Sequence, residues 1–172
     1  AAGDTGTATI TVAGNDIAGN AYTGTESIVF DIDTTSPTLT ITIDDDRVNN
    51  TDTPTITFTL TESSTSFTAS DVSFSSGSIR SPLTATSSKV YTASYTPAVG
   101  TVTNVIVSVN SATFTDMAGN SNIASSTTFL VDTISPTLSS FTHDHIDSIV
   151  RDANTVILTA TFSEAISNYP TI

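Results

Sequence analysis

The side chains with most chemistry to offer in this chain are carboxylates, and they are not scattered. Asp16, Asp33, Asp44, Asp45, Asp46, Asp116, Asp132 and Asp144 all fall in stretches that read as turns or linkers. Glu62 and Glu164, two of only three glutamates, sit at the ends of runs that alternate apolar and polar residues. Clustered carboxylates suit calcium, which takes about six to eight oxygen ligands from carboxylates, carbonyls and water. None of them has the spacing of an EF-hand loop. Catalytic chemistry is thinly represented. The only histidines, His143 and His145, flank Asp144 and match in position the polar turn Asp44–Asp46. A Ser-His-Asp arrangement needs groups that converge in space, and these are merely sequential. No Gly-rich phosphate loop is present. Lys89, the single lysine, reads as an exposed strand-end residue rather than a partner for an isopeptide bond. No enzymatic activity is expected.

Composition says what can carry these groups. Of 172 residues, 37% are hydrophobic, enough for a packed core, and only 12% are charged. That is about half the usual share. In their place stand 36 threonines and 25 serines. Thr favours strands because branching at Cβ restricts χ1. Four basic residues face 17 acidic ones, for a net charge of −13. No basic patch for nucleic acid can be built from four cations, and docking onto anionic membranes is disfavoured. With no Cys there is no disulfide, thiolate nucleophile or Cys-type zinc site. No apolar run approaches the roughly 18 residues of a membrane-spanning helix. Patterned sequence starts at residue 1 with no leader-like stretch, so the chain is expected to be a segment of something longer.

Internal repetition organises the sequence. Asp16-Ile17-Ala18-Gly19-Asn20 recurs as Asp116-Met117-Ala118-Gly119-Asn120. Asp33-Thr34-Thr35-Ser36-Pro37-Thr38 recurs as Asp132-Thr133-Ile134-Ser135-Pro136-Thr137. Thr61-Glu62 recurs as Ser163-Glu164. Three landmarks in one order give a period of about 100 residues. Residues 37–135 then form one complete unit. Residues 1–36 are the C-terminal part of a preceding unit, and residues 136–172 the N-terminal part of a following one.

Within the complete unit, period-two alternation marks strands. Leu39, Ile41 and Ile43 alternate with threonines, as do Ile56, Phe58 and Leu60. Asp44 to Asn50 reads as a polar turn between them. Weaker strands are expected at 71–74 and 78–83. Tyr91, Ala93 and Tyr95 form one face of a fifth strand, Val105, Val107 and Val109 of a sixth, and residues 123–131 form the seventh. Gly19 and Gly119 should supply a positive φ in the repeated turn. Seven short strands in one unit, each apolar on one face, predict an all-β, immunoglobulin-like antiparallel β-sandwich. The Thr-x-Thr arrays, such as Thr55, Thr57 and Thr59, read as the solvent side of strands rather than an ice- or carbohydrate-binding face.

Phe30 with Asp33 to Thr38, Ala69-Ser70-Asp71-Val72, Asp116 to Asn120, and Phe162-Ser163-Glu164-Ala165 together resemble the bacterial Ig-like repeats of large surface adhesins and biofilm-associated proteins. The resemblance covers essentially the whole chain. It implies tandem arrays exported to the cell surface, often stiffened by calcium.

The expected topology adds geometry to the carboxylates. In such a sandwich the loop after the second strand and the loop between the last two lie at the end where the first strand enters. Asp33, Glu62 and Asp116 should therefore converge at the junction with the preceding unit, with Asp16 as the equivalent of Asp116 one unit earlier. Asp132 and Glu164 should gather at the next junction, together with an Asp from beyond residue 172. Asp44 and Asp46, at the opposite pole of the complete unit, could reach that second junction from the other side. Asp and Asn favour turns through local hydrogen bonds, which accounts for single residues. It accounts less well for a Glu at the same strand end in both readable units. Three converging carboxylates without a cation would also repel.

The reading is a spacer or stalk segment of a long extracellular fibre or adhesin, with calcium at the junctions and neighbouring repeats or neighbouring copies as partners. A host or surface ligand would be met elsewhere in the full protein. One alternative is a filament subunit in which the partial units of neighbouring copies complete each other by strand addition. Another is a glycan- or receptor-binding module. Against the latter stand the absence of Trp and an aromatic content of 7%, since binding anchors are usually aromatic or Arg.

Overall fold

The computed structural model describes residues 5–80, 82–145, 149 and 155–167. In chain order the strands are β1 (Gly6–Thr11), β2 (Ser27–Ile32), β3 (Leu39–Ile43), β4 (Arg47–Val48), β5 (Thr55–Leu60), β6 (Val72–Phe74), β7 (Ser78–Ile79), β8 (Thr84–Ala85), β9 (Val90–Thr96), β10 (Val102–Val109), β11 (Ser125–Asp132), β12 (Leu138–His143) and β13 (Leu158–Phe162). The only helical element among the described residues is a single 3₁₀ turn, Ala69–Asp71.

Strands β3 to β11 form a two-sheet sandwich. One sheet runs β3-β5-β9-β7, with β8 also paired to β9. The other runs β4-β11-β10-β6. Every pairing is antiparallel except β4 with β11. The alternation read from the sequence decides which side chains meet between the sheets. Leu39, Ile41, Ile56, Phe58, Tyr91, Val105 and Val107 are all buried. The threonines between them face outward: Thr42 pairs with Thr57, and Thr57 with Thr92. Phe58 is wholly inaccessible, and burying a side chain of that size contributes about 1.5–3 kcal/mol.

Some elements differ from the sequence-based expectation. The polar stretch 44–50 is not simply a turn. It contains β4, whose Val48 is buried and pairs with Val131 in the opposite sheet. A lone apolar residue among polar ones gives no period, yet it carries the chain from one sheet to the other. The strand expected over 78–83 is shortened to β7, and the pair Thr84–Ala85 adds β8 on the edge of β9. The last strand starts at Ser125 rather than residue 123, because the Ile123 N–H is directed to the Pro37 carbonyl at 3.0 Å. Phe67 and Phe114 come from loops and pack edge-on or tilted against Phe58, Tyr91 and each other.

The flanking segments repeat parts of this design. β1 pairs with β2, and β12 with β13, each as a two-stranded antiparallel sheet. The Ser163 N–H donates to Thr137 O at 2.9 Å, as Thr61 N–H does to Thr38 O at 2.9 Å. The Ile157 N–H donates to Asp144 Oδ1 at 3.0 Å, as Thr55 N–H does to Asp44 Oδ1 at 2.8 Å. Apolar residues on these small sheets, including Ile10, Ile28 and Phe30 on one and Leu138, Phe141 and Leu158 on the other, are exposed.

Candidate metal centre

Asp116 opens the loop between β10 and β11, and its carboxylate organises that loop. Asp116 Oδ1 accepts the N–H groups of Ala118 at 2.9 Å and Asn120 at 2.8 Å, while Oδ2 accepts from Asn120 Nδ2 at 2.9 Å. Gly119 sits at φ +96, the left-handed conformation this tight turn requires. The same bonds recur one repeat earlier, where Asn20 donates from its backbone and its side chain to Asp16 at 2.8 and 2.7 Å, with Gly19 at φ +92. The base of the later loop is fixed by buried Asn122. Its Oδ1 accepts from the N–H groups of Thr113 and Phe114, and its Nδ2 donates to Asn110 O and Ile123 O.

Glu62 follows β5. Its neighbours Thr61 and Ser64 are held by bonds to Thr38 O and Ser88 O. The Ser64 hydroxyl donates to Thr115 O at 2.6 Å, tying this segment to the Asp116 loop. Asp33 follows β2 in the linker. Its carboxylate accepts the Thr35 N–H at 3.0 Å, and its carbonyl accepts from Asn120 Nδ2 at 3.1 Å. Asn120 therefore touches both the loop and the linker.

These three segments bring Asp33, Glu62 and Asp116 together, with one carboxylate oxygen from each lying within 4.8 Å of the others. Asp116 is buried, and Asp33 and Glu62 are half-buried. Burial raises the Glu62 pKa above its ordinary 4.5, and the negative charges of Asp33 and Asp116 push it further; nearby Lys89 pulls the other way. For Asp116, burial is the largest single influence and raises its pKa. The hydrogen bonds from Asn120, Gly119 and Ala118 outweigh it, and the net shift is downward. The centre is thus a compact set of hard oxygen donors carrying excess negative charge. Such a set matches calcium or magnesium rather than a metal that favours nitrogen or sulfur ligands.

The other expected residues are placed differently. Among the described residues, Asp132 and Glu164 belong to no three-carboxylate group, and the Asp expected to complete their junction is not one of the residues of this chain. Asp132 accepts the Ile134 N–H at 3.1 Å, and Glu164 has one buried oxygen without a hydrogen-bond partner. Asp16 is exposed and engaged within its own loop. Asp44 binds the Thr55 N–H across the turn between β3 and β5, and Asp46 is exposed, its carbonyl accepting from Leu130 N–H at 2.9 Å. That turn does lie at the opposite pole, where Arg47 and Asp132 border one shallow depression. His145 Nδ1 lies 2.9 Å from Asp144 Oδ1, an exposed local pair. Lys89 Nζ donates to Thr61 O at 2.8 Å, not to an Asn or Asp side chain. Sequence reasoning missed the bridging role of Asn120 and the nearness of Lys89 to Glu62. The Asn was visible in the repeated Asp-x-Ala-Gly-Asn motif, whereas nothing local marks Lys89.

No curated protein matches the chain. The family model for the bacterial Ig-like domain matches residues 33–131, more than half of the chain, beginning at the linker carboxylate and ending in β11. The chain belongs to the bacterial Ig-like domain family.

Proposed function

We propose that this chain is a spacer segment of a bacterial surface protein, in which calcium bound at Asp33, Glu62 and Asp116 locks one Ig-like unit against the next. The observation that supports the reading is the origin of the three carboxylates: one from the linker and two from separate loops of the following sandwich. A cation shared among them would make linker and sandwich one body and remove their mutual repulsion. The net charge of −13 would keep neighbouring arrays apart and soluble. Membership of the family is compatible with a surface-protein module. Small-angle scattering and thermal melting with calcium and with chelator test the reading. Calcium should give a longer particle and a higher melting temperature, and both gains should shrink in Glu62→Ala. An unchanged length and melting point on chelation would leave only a proline-stiffened acidic spacer.

A second reading has its own observation. The exposed apolar residues of β1–β2 and of β12–β13 belong to the counterparts of β10–β11 and β3–β5, and β11 packs near β3 in the complete sandwich. Copies could therefore associate end to end through these small sheets. Native mass spectrometry separates the two readings, since open polymers are expected only from the second.

A further inference from the structure

Lys89 is the only lysine in the chain and one of four basic residues. It lies in the turn between β8 and β9, and that turn is docked onto the segment carrying Glu62. The Lys89 carbonyl accepts from Leu60 N–H at 2.7 Å, the Ser88 carbonyl from Ser64 N–H at 3.2 Å, and the Ser88 hydroxyl from Ser63 at 3.0 Å. Within the turn, the Ser87 hydroxyl accepts the N–H groups of Lys89 and Val90. The ammonium is placed in turn by its bond to Thr61 O at 2.8 Å, on the residue immediately before Glu62. A long flexible side chain is thus given a fixed anchor next to the densest carboxylate cluster among the described residues.

The geometry points to Lys89 as a tethered counter-charge that holds the Asp33–Glu62–Asp116 junction together without a divalent ion and sets the calcium concentration at which the ion takes over. This rests on the calcium reading above. The physical argument is one of competing charge. An ammonium beside the cluster relieves part of its self-repulsion when calcium is absent. The same charge opposes an incoming divalent ion, so it weakens calcium binding while supporting the calcium-free fold. Because Lys89 is exposed, the effect is modest and falls with salt.

The test compares the 172-residue chain with Lys89→Met, which keeps the aliphatic stem, and with Lys89→Arg, which keeps the charge. Calcium titration calorimetry and melting in chelator at low and high salt are the readouts. Lys89→Met should bind calcium about two- to fivefold more tightly, the range expected for an exposed charge pair. It should melt lower in chelator at low salt, with the gap closing at high salt. Lys89→Arg should follow the wild type in both. Equal affinity and equal melting of Lys89→Met and wild type would overturn the proposal. So would a melting loss that persists at high salt, which would mark lost packing or the lost bond to Thr61. A wild type that binds no calcium, while Lys89→Met still loses low-salt stability, would overturn the calcium reading and leave the counter-charge standing.

Discussion

Glu62 and Asp116 share one cluster, yet their surroundings push them in opposite directions. Asp116 is met by donors from its own loop, so its charged form is stabilised despite burial. Glu62 meets burial and two other carboxylates, so its charged form is disfavoured. The consequences for stability have opposite signs. Glu62 holds its proton more tightly in the folded state than in the unfolded one. Its contribution is therefore best at low pH and is lost as pH rises from the ordinary 4.5 through the raised folded value. Asp116 contributes fully above its ordinary 3.8, and that contribution is lost as pH falls through the lowered folded value. In chelator, Glu62→Gln should raise the melting temperature at neutral pH and flatten the decline that accompanies rising pH. Asp116→Ala should lower it with or without calcium, because the N–H groups of Ala118 and Asn120 lose their acceptor. A Glu62→Gln variant that melts below the wild type in chelator at neutral pH would contradict this account of the cluster.

At the scale of elements, what the sequence revealed depended on periodicity. Long strands with threonine between apolar residues were legible, because alternation assigns one face to the core and one to water. The convergence of Glu62 and Asp116 at one end of the sandwich is legible from a different source, the loop order of an immunoglobulin-like topology. Elements without a period were hidden. β4 is two residues long, and Phe67 and Phe114 enter the core from loops. Asn122 belongs to this hidden group. It is 3% exposed and its amide makes four bonds to backbone groups that flank the Asp116 loop. Replacing it with Ala would leave the N–H groups of Thr113 and Phe114 without that acceptor. An unsatisfied buried polar group costs about 1–3 kcal/mol, so Asn122→Ala should lose about 2–4 kcal/mol in urea denaturation. Gly77 makes a similar case by sterics. It sits at φ +75 with the Tyr95 ring against it, and a Cβ would run into the Tyr95 hydroxyl. Gly77→Ala should therefore destabilise the fold, and an unchanged urea midpoint would show that β6 and β7 can shift to admit the methyl group.

At the scale of the whole molecule, the two linkers provide an internal comparison. The linker before β3 is tied to the sandwich by Asn120 Nδ2 to Asp33 O and by Ile123 N–H to Pro37 O, leaving few residues to act as a hinge. The linker after β11 is tied to the same sandwich from the other end. Thr133 Oγ1 donates to Ala98 O at 2.9 Å and accepts the Thr101 N–H at 2.9 Å. Proline restricts both linkers by fixing φ and holding its predecessor extended. Only the first junction unites three carboxylates among the described residues. Calcium should therefore stiffen the first junction more than the second. Ligand bound only to the folded form, at a hundredfold excess over its dissociation constant, stabilises by about 2.7 kcal/mol, enough to suppress an open hinge state about a hundredfold if that state lacks the site. The absence of native Cys permits clean spin labelling in pairs. Labels at exposed Thr25 and Ser126 report on the first junction, and labels at exposed Ser126 and Thr142 on the second. Calcium should narrow the distance distribution of the first pair markedly and that of the second pair little, and Glu62→Ala should abolish the first effect. Equal narrowing at both junctions would show that three assembled carboxylates are not what confers stiffness, and no narrowing at either would mean that proline and hydrogen bonds already hold the linkers straight.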